Sequence, residues 1–272
     1  MQRFRTDIMT KYVDLNVIID NMIHHDPLVE CTVLISQLLG YDIVTLSTFS
    51  WNNVRLLKEK VRELQRSYDI DIAIRLSIRT RDPRLLKGIL RRYRRMVDII
   101  SVYCETNQVA SFAAKDHRVD TLVFPLELKQ NVAFDEAKAN LSIQGETALE
   151  IVFWDVMKAI LSRKLIPIKR WVDIALSHDV PIVVSSGASH YLELRAPREL
   201  IAFASIVLEL PNSKEALYKY QVERIEINRR KLSGEIPLPG VKIIGKGERP
   251  YDISEETLRN IQDYKPRWGF NR

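Results

Sequence analysis

The chain has 272 residues, 46% hydrophobic and 28% charged, which suits one large folded domain and excludes a disordered chain. No apolar run approaches the roughly 18–20 residues that span a bilayer, and residues 1–7 lack the apolar core of a signal peptide, so the expected setting is the cytoplasm, or the nucleus in a eukaryote. Net charge is +6. The two cysteines, Cys31 and Cys104, exclude a disulfide framework and a cysteine-rich zinc site; both sit among apolar residues and are expected to be buried thiols.

In chain order, residues 12–18 read as a first strand. Residues 28–39 carry helical apolar spacing, stopped at Gly40. A second strand spans 41–47. An amphipathic helix follows over 52–67, with Val54, Leu57, Val61 and Leu64 on one face. The third strand is 70–78, and Asp82-Pro83 opens a helix over 83–95. Strand four is 97–103, a short helix 107–115, strand five 119–124, a helical fragment 135–140, and strand six 148–153. A helix over 168–177 leads to strand seven at 181–185. A helix near 198–204 leads to an eighth strand at 206–210, and a long helix over 213–232 ends the domain. Eight strands alternating with helices argue for an α/β protein of the TIM-barrel-like (β/α) type, although alternation alone also fits a doubly wound sheet. The Gly- and Pro-rich stretch after residue 233 reads as a linker, with one short helix starting at Ser254. The expected division is a barrel domain over 1–232 and a linker and tail over 233–272.

Positive charge is concentrated. Residues 75–95 hold nine Lys and Arg against Asp82 alone, net +8, so the remainder is slightly acidic. Arg84, Lys87, Arg91 and Arg94 or Arg95 recur at helical spacing opposite an apolar, buried face of Leu85, Leu86, Ile89, Leu90 and Tyr93. Solvated helices normally mix signs; one acid in 21 residues points to phosphate-backbone binding. Smaller basic groups are Lys115, His117 and Arg118, and Arg224, Arg229, Arg230 and Lys231, the last diluted by Glu223 and Glu226.

Catalysis in a barrel sits at the strands' C-terminal ends. Asp14-Leu15-Asn16 in strand one supplies one carboxylate where a metal hydrolase wants a histidine pair. Among the five histidines there is no His-x-His and no helical His-x-x-x-His, so a catalytic metal lacks ligands. Gly-rich nucleotide loops are absent. Ser185-Ser186-Gly187-Ala188-Ser189 follows strand seven; it reads either as a phosphate cradle of backbone N–H groups or as a turn of small residues. Arg195 and Arg198 come soon after.

Four segments together resemble one family. They are Tyr12-Val-Asp-Leu-Asn16, Ala113-Ala-Lys-Asp-His-Arg-Val-Asp120 running into Val123-Phe-Pro125, Pro181-Ile-Val-Val-Ser-Ser-Gly-Ala188, and Glu193-Leu-Arg-Ala-Pro-Arg-Glu199. The chain is similar over about 10–232 to the archaeal and eukaryotic ribonuclease P protein component 3, the thirty-kilodalton subunit. That resemblance implies a TIM-barrel-like protein related to metal-dependent phosphoesterase barrels but without their histidine ligands. It implies no catalytic residue, metal or cofactor on the protein, with Mg²⁺ carried by the catalytic RNA. The implied partners are ribonuclease P RNA and the small α/β subunit called component 2, as a heterotetramer, with precursor tRNA contacted indirectly and its 5′ leader removed by the holoenzyme.

Charge and resemblance together nominate RNA-contacting residues: Arg79, Arg81, Arg84, Lys87, Arg91 and Arg95; Lys115, His117 and Arg118; and Ser185, Ser186 and Gly187 with Arg195 and Arg198. They are expected to position phosphates rather than read bases. The competing expectation is a stand-alone metal-dependent phosphoesterase using Asp14, Glu150 and the 185–188 loop; a third is an RNA-binding scaffold outside ribonuclease P.

Overall fold

Seven β-branched runs make one parallel sheet in the computed structural model, which describes residues 11–126, 132–161 and 165–235. The strands are β1 Val13–Ile18, β2 Ile43–Thr48, β3 Asp71–Thr80, β4 Ile99–Cys104, β5 Thr121–Val123, β6 Ala148–Val152 and β7 Ile182–Ser185, paired in sequence order. The helices are α1 Asp26–Leu38, α2 Val54–Ser67, α3 Pro83–Tyr93, α4 Asn107–Ala114, α5 Glu136–Gly145, α6 Phe153–Leu161, α7 Leu165–Ser177, α8 Pro197–Ile206 and α9 Lys219–Ser233. A parallel ladder needs such crossovers. The linker, the tail and the helix expected at Ser254 lie outside the described residues. Among the described residues, no helix is long and apolar enough to cross a membrane.

The sheet curls into a nearly closed barrel. Beyond β7 the chain continues to Ala188, which bridges Val17 of β1; the Ile18 N–H donates to the Ala188 carbonyl at 2.7 Å. Gly187 sits in this seam at φ +67°, where a Cβ would lie 2.2 Å from Val152 Cγ1. This closure corrects the expected eighth strand. Ile206 ends α8, the Leu210 N–H folds back to the Ala204 carbonyl at 3.0 Å, and Glu209 turns at φ +56°. The apolar alternation there reflects Leu208 and Leu210 anchoring the turn in the core.

Helix-facing side chains of the strands pack with α1–α8 in one large apolar cluster. Inside the barrel, alternate residues form layers. At the N-terminal end these are Val13, Ile43, Ala73, Ile99 and Ala148, closed from below by Ile225 of α9. Cys104 is buried as expected, whereas Cys31 is exposed on α1, because the stripe Val29, Thr32, Val33 and Ser36 turns inward instead.

Candidate nucleic-acid interface

α3 is defined at its start by Asp82, whose carboxylate accepts the Arg84 N–H at 2.8 Å, and by Pro83 at the first position. Leu86, Ile89, Leu90 and Tyr93 face the barrel, whereas Leu85, expected on that face, is exposed because the helical repeat turns it outward. The helical repeat then turns Arg84, Lys87 and Arg91 outward, and Arg92 and Arg95 are exposed beside them. None of these five has an ion-pair partner among the described residues; the Arg92 guanidinium lies 5.5 Å from the Tyr93 ring. Arg79 and Arg81, at the end of β3, share the single carboxylate of Glu105 at 3.6 and 3.3 Å.

The loop after α4 joins the same face. Arg94 Nη1 donates to the Arg118 carbonyl at 3.3 Å, tying that loop to the end of α3. Lys115 and His117 are exposed there. The Arg118 guanidinium is instead engaged by Asp116 through two bonds of 2.8 and 2.6 Å, which hold the Asp116 carboxyl below its ordinary range against the opposing effect of burial.

Two basic groups serve the fold. Arg94 pairs with Asp120 at 2.5 Å and donates to the Asp98 carbonyl at 2.7 Å. On α9, Arg229 forks onto Asp71 at 2.6 and 2.9 Å, and Arg224 meets Asp120 and Glu146. These pairs stitch the floor of the barrel.

The second expected group lies across the barrel from α3. Ser185 and Ser186 are fully buried. The Ser185 hydroxyl donates to Glu150 at 2.7 Å. The Ser186 N–H goes to Asp14 at 3.1 Å, the Gly187 N–H to the Asn16 carbonyl at 3.0 Å, the Ala188 N–H to the Ser186 hydroxyl at 3.1 Å, and the Ser189 N–H to Glu193 at 2.7 Å. The backbone donors that a phosphate cradle would need are therefore already bonded, two to β1 and two locally to Ser186 and Glu193, as in a turn of small residues. Arg195 packs its guanidinium 4.8 Å from the Trp154 ring and donates to the Leu194 carbonyl at 2.8 Å; Arg198 is exposed on α8.

The two carboxylates of the phosphoesterase expectation occupy different environments. Asp14 is in register with Val44, a helix-facing residue, and its Oδ1 accepts the N–H groups of Asn16 and Ser186. Burial raises its carboxyl above the ordinary 3.8. Glu150 points into the barrel, where Arg75 meets it at 2.7 Å; neither side chain is exposed. Ser101, Thr121 and Ser185 also donate to Glu150. Arg75 thus fills, with its own guanidinium, the position beside the carboxylate that a bound cation would take. Among the described residues, no three His, Cys, Asp or Glu side chains converge as metal ligands. Arg75, one of the nine cations in residues 75–95, is thus withdrawn from the surface charge. Its signal was the alternation Ala73, Arg75, Ser77 against Ile72, Ile74, Leu76, Ile78, which puts Arg75 on the face lined by small side chains.

Comparison with known proteins agrees with this architecture. Ribonuclease P protein component 3 of Haloarcula marismortui is 26% identical over 181 residues, covering 65% of this chain and 76% of that protein. A chain in the cryo-EM structure of archaeal ribonuclease P with mature tRNA superposes with a TM-score of 0.73 at 20% identity, over 87% of this chain and all of that one. A histidinol-phosphatase-like protein from Listeria monocytogenes shares the fold at a TM-score of 0.51 and 11% identity, over 67% of this chain and 97% of its own. The family model described as RNase P subunit p30 matches residues 11–232, and the chain belongs to that family.

Proposed function

We propose that this protein is the scaffold subunit of ribonuclease P that supports the catalytic RNA while the holoenzyme removes the 5′ leader of precursor tRNA. One observation carries the mode of action: the outer face of α3 presents Arg84, Lys87, Arg91, Arg92 and Arg95 without a neutralising acid among the described residues. Such a face binds phosphates by counterion release and fixes orientation rather than sequence. Arg81, Lys115 and His117 extend it. The protein brings no catalytic residue or metal of its own; Mg²⁺ belongs to the RNA. Family membership supports assembly with the RNA and with the small α/β component 2, as a heterotetramer, in the cytoplasm or, in a eukaryote, the nucleus.

The test is precursor tRNA cleavage at limiting Mg²⁺ with the RNA alone, this protein alone, component 2 alone, and all three. Stimulation only in the complete mixture is the expected result. Phosphoester hydrolysis by this protein alone, surviving stringent purification and lost in Asp14→Asn, would make the barrel itself the catalyst.

A further inference from the structure

The C-terminal mouth of the barrel holds a cavity of about 370 Å³, and nothing in the α3 interface explains its lining. On one wall, Phe49 and Tyr103 meet edge to face at 5.0 Å. With Val123 and Val152 they form an apolar cluster separate from the main core. The Arg79 guanidinium lies over both rings, 5.2 and 5.0 Å from their centroids. On the other wall stands Trp154, from the first turn of α6. Its Nε1–H donates to the Glu193 carbonyl at 2.9 Å, which fixes the indole, and Arg195 backs that ring. Gly187 lies between the walls, so the backbone there carries no side chain.

The charges of this cavity are mixed. Arg79, which pairs with Glu105, and Lys158 line it together with Asp155 and Glu193, so it does not attract a phosphate as the α3 face does. It offers ring and guanidinium faces beside polar groups. Unstacked bases are held by that combination: stacking on aromatic side chains or arginine planes, and hydrogen bonds to the base edge. The volume admits one nucleotide and excludes a duplex. We propose that the mouth captures a single unstacked nucleobase of single-stranded RNA, stacked on Trp154 and the Arg79–Phe49–Tyr103 wall, with Lys158 at the rim for the adjoining phosphate. This rests on the reading of the protein as an RNA partner, and it assigns the mouth a role that the α3 face cannot fill.

The test measures fluorescence anisotropy of a short labelled single-stranded RNA, its abasic counterpart, and the same RNA competed by a free nucleoside monophosphate. The full-length protein is expected to bind the intact RNA at least about tenfold more tightly than the abasic one. Trp154→Ala should weaken the intact RNA by a similar factor and leave the abasic RNA unchanged. Trp154→Phe should stay within about threefold of the parent, which separates lost stacking from lost folding, and Lys158→Ala should weaken both RNAs. Competition by the monophosphate as strong as by the RNA itself would mark a free-nucleotide site and overturn the proposal. So would equal binding of intact and abasic RNA, an unaffected Trp154→Ala, or no binding of the intact RNA. A salt dependence abolished by neutralising α3, with base discrimination absent, would sink the mouth site and leave the α3 reading standing. Discrimination through Trp154 with α3 variants silent would do the reverse.

Discussion

Arg75 and Glu150 are each other's main neutralising charge inside the barrel, with the Arg75 guanidinium also donating to the Ser77 hydroxyl at 3.0 Å and the Leu15 carbonyl at 3.0 Å. Removing one partner strands a charge that cannot reach water. Arg75→Met is therefore expected to lower unfolding stability by ~3–5 kcal/mol, measured by urea denaturation. Arg75→Met with Glu150→Gln should recover more than half of that loss, because no lone charge remains; equal losses in single and double variants would refute the pairing. Asp14 gives the opposite lesson. Its buried carboxyl titrates above the ordinary 3.8, so between that value and its raised native value the folded state holds a proton the unfolded state releases. Stability then falls as pH rises through the window and stays reduced above it. Asp14→Asn keeps an acceptor for the Asn16 and Ser186 N–H groups. Its stability relative to the parent should rise with pH above about 4 and level off once the pH passes the raised native value; urea midpoints in a pH series read this directly. A gap independent of pH would show that the Asp14 carboxyl titrates normally.

At the scale of elements, strands and helices were legible wherever one period dominated. The cap Asp82-Pro83 and the apolar set of α3 were readable because a surface helix writes its buried face at 3.6-residue spacing. The 206–210 run misled because alternation records which side chains are buried, not whether the backbone has a neighbouring strand to pair with. α6 escaped notice because Phe153-Trp154-Asp155 continues the apolar run of β6 without a break. Which arginines are free was not legible at all: Arg94, Arg224 and Arg229 find acids distant in sequence. The 185–189 turn left two readings open, and only the hydrogen bonds decide between them. Gly187 in that turn makes the seam testable. Gly187→Ala forces a side chain into φ +67° and against Val152, and should cost at least ~1–3 kcal/mol in thermal or urea unfolding. Combined with Val152→Ala, the total loss should be smaller than the sum of the single losses, since the second change removes the clash and leaves only the backbone strain. Simple additivity would mean that the two residues do not meet.

Among the described residues, several of the cations are neutralised within the fold. Arg75 is neutralised within the barrel, Arg94, Arg224 and Arg229 at the floor, and the mouth carries balanced signs. The outer face of α3 instead presents Arg84, Lys87, Arg91, Arg92 and Arg95 without an ion-pair partner among the described residues, beside the exposed Lys115, a field able to steer a polyanion. Replacing Arg84, Lys87, Arg91 and Arg95 by Ala leaves the packed face of the helix intact, so folding should be preserved. Each phosphate contact contributes ~0.7–0.9 to the slope of log affinity against log salt. The fourfold variant should therefore flatten that slope for ribonuclease P RNA by roughly three, while Arg94→Ala, which breaks a floor pair, should lower stability more than it changes the slope. In the reconstituted holoenzyme the lost cations must be replaced by counterions from solution. Cleavage of precursor tRNA by the variant should then need more Mg²⁺ to reach half its maximal rate, and should approach the parent rate when Mg²⁺ is saturating. A variant with the parent's salt slope and Mg²⁺ requirement would remove α3 from the RNA interface.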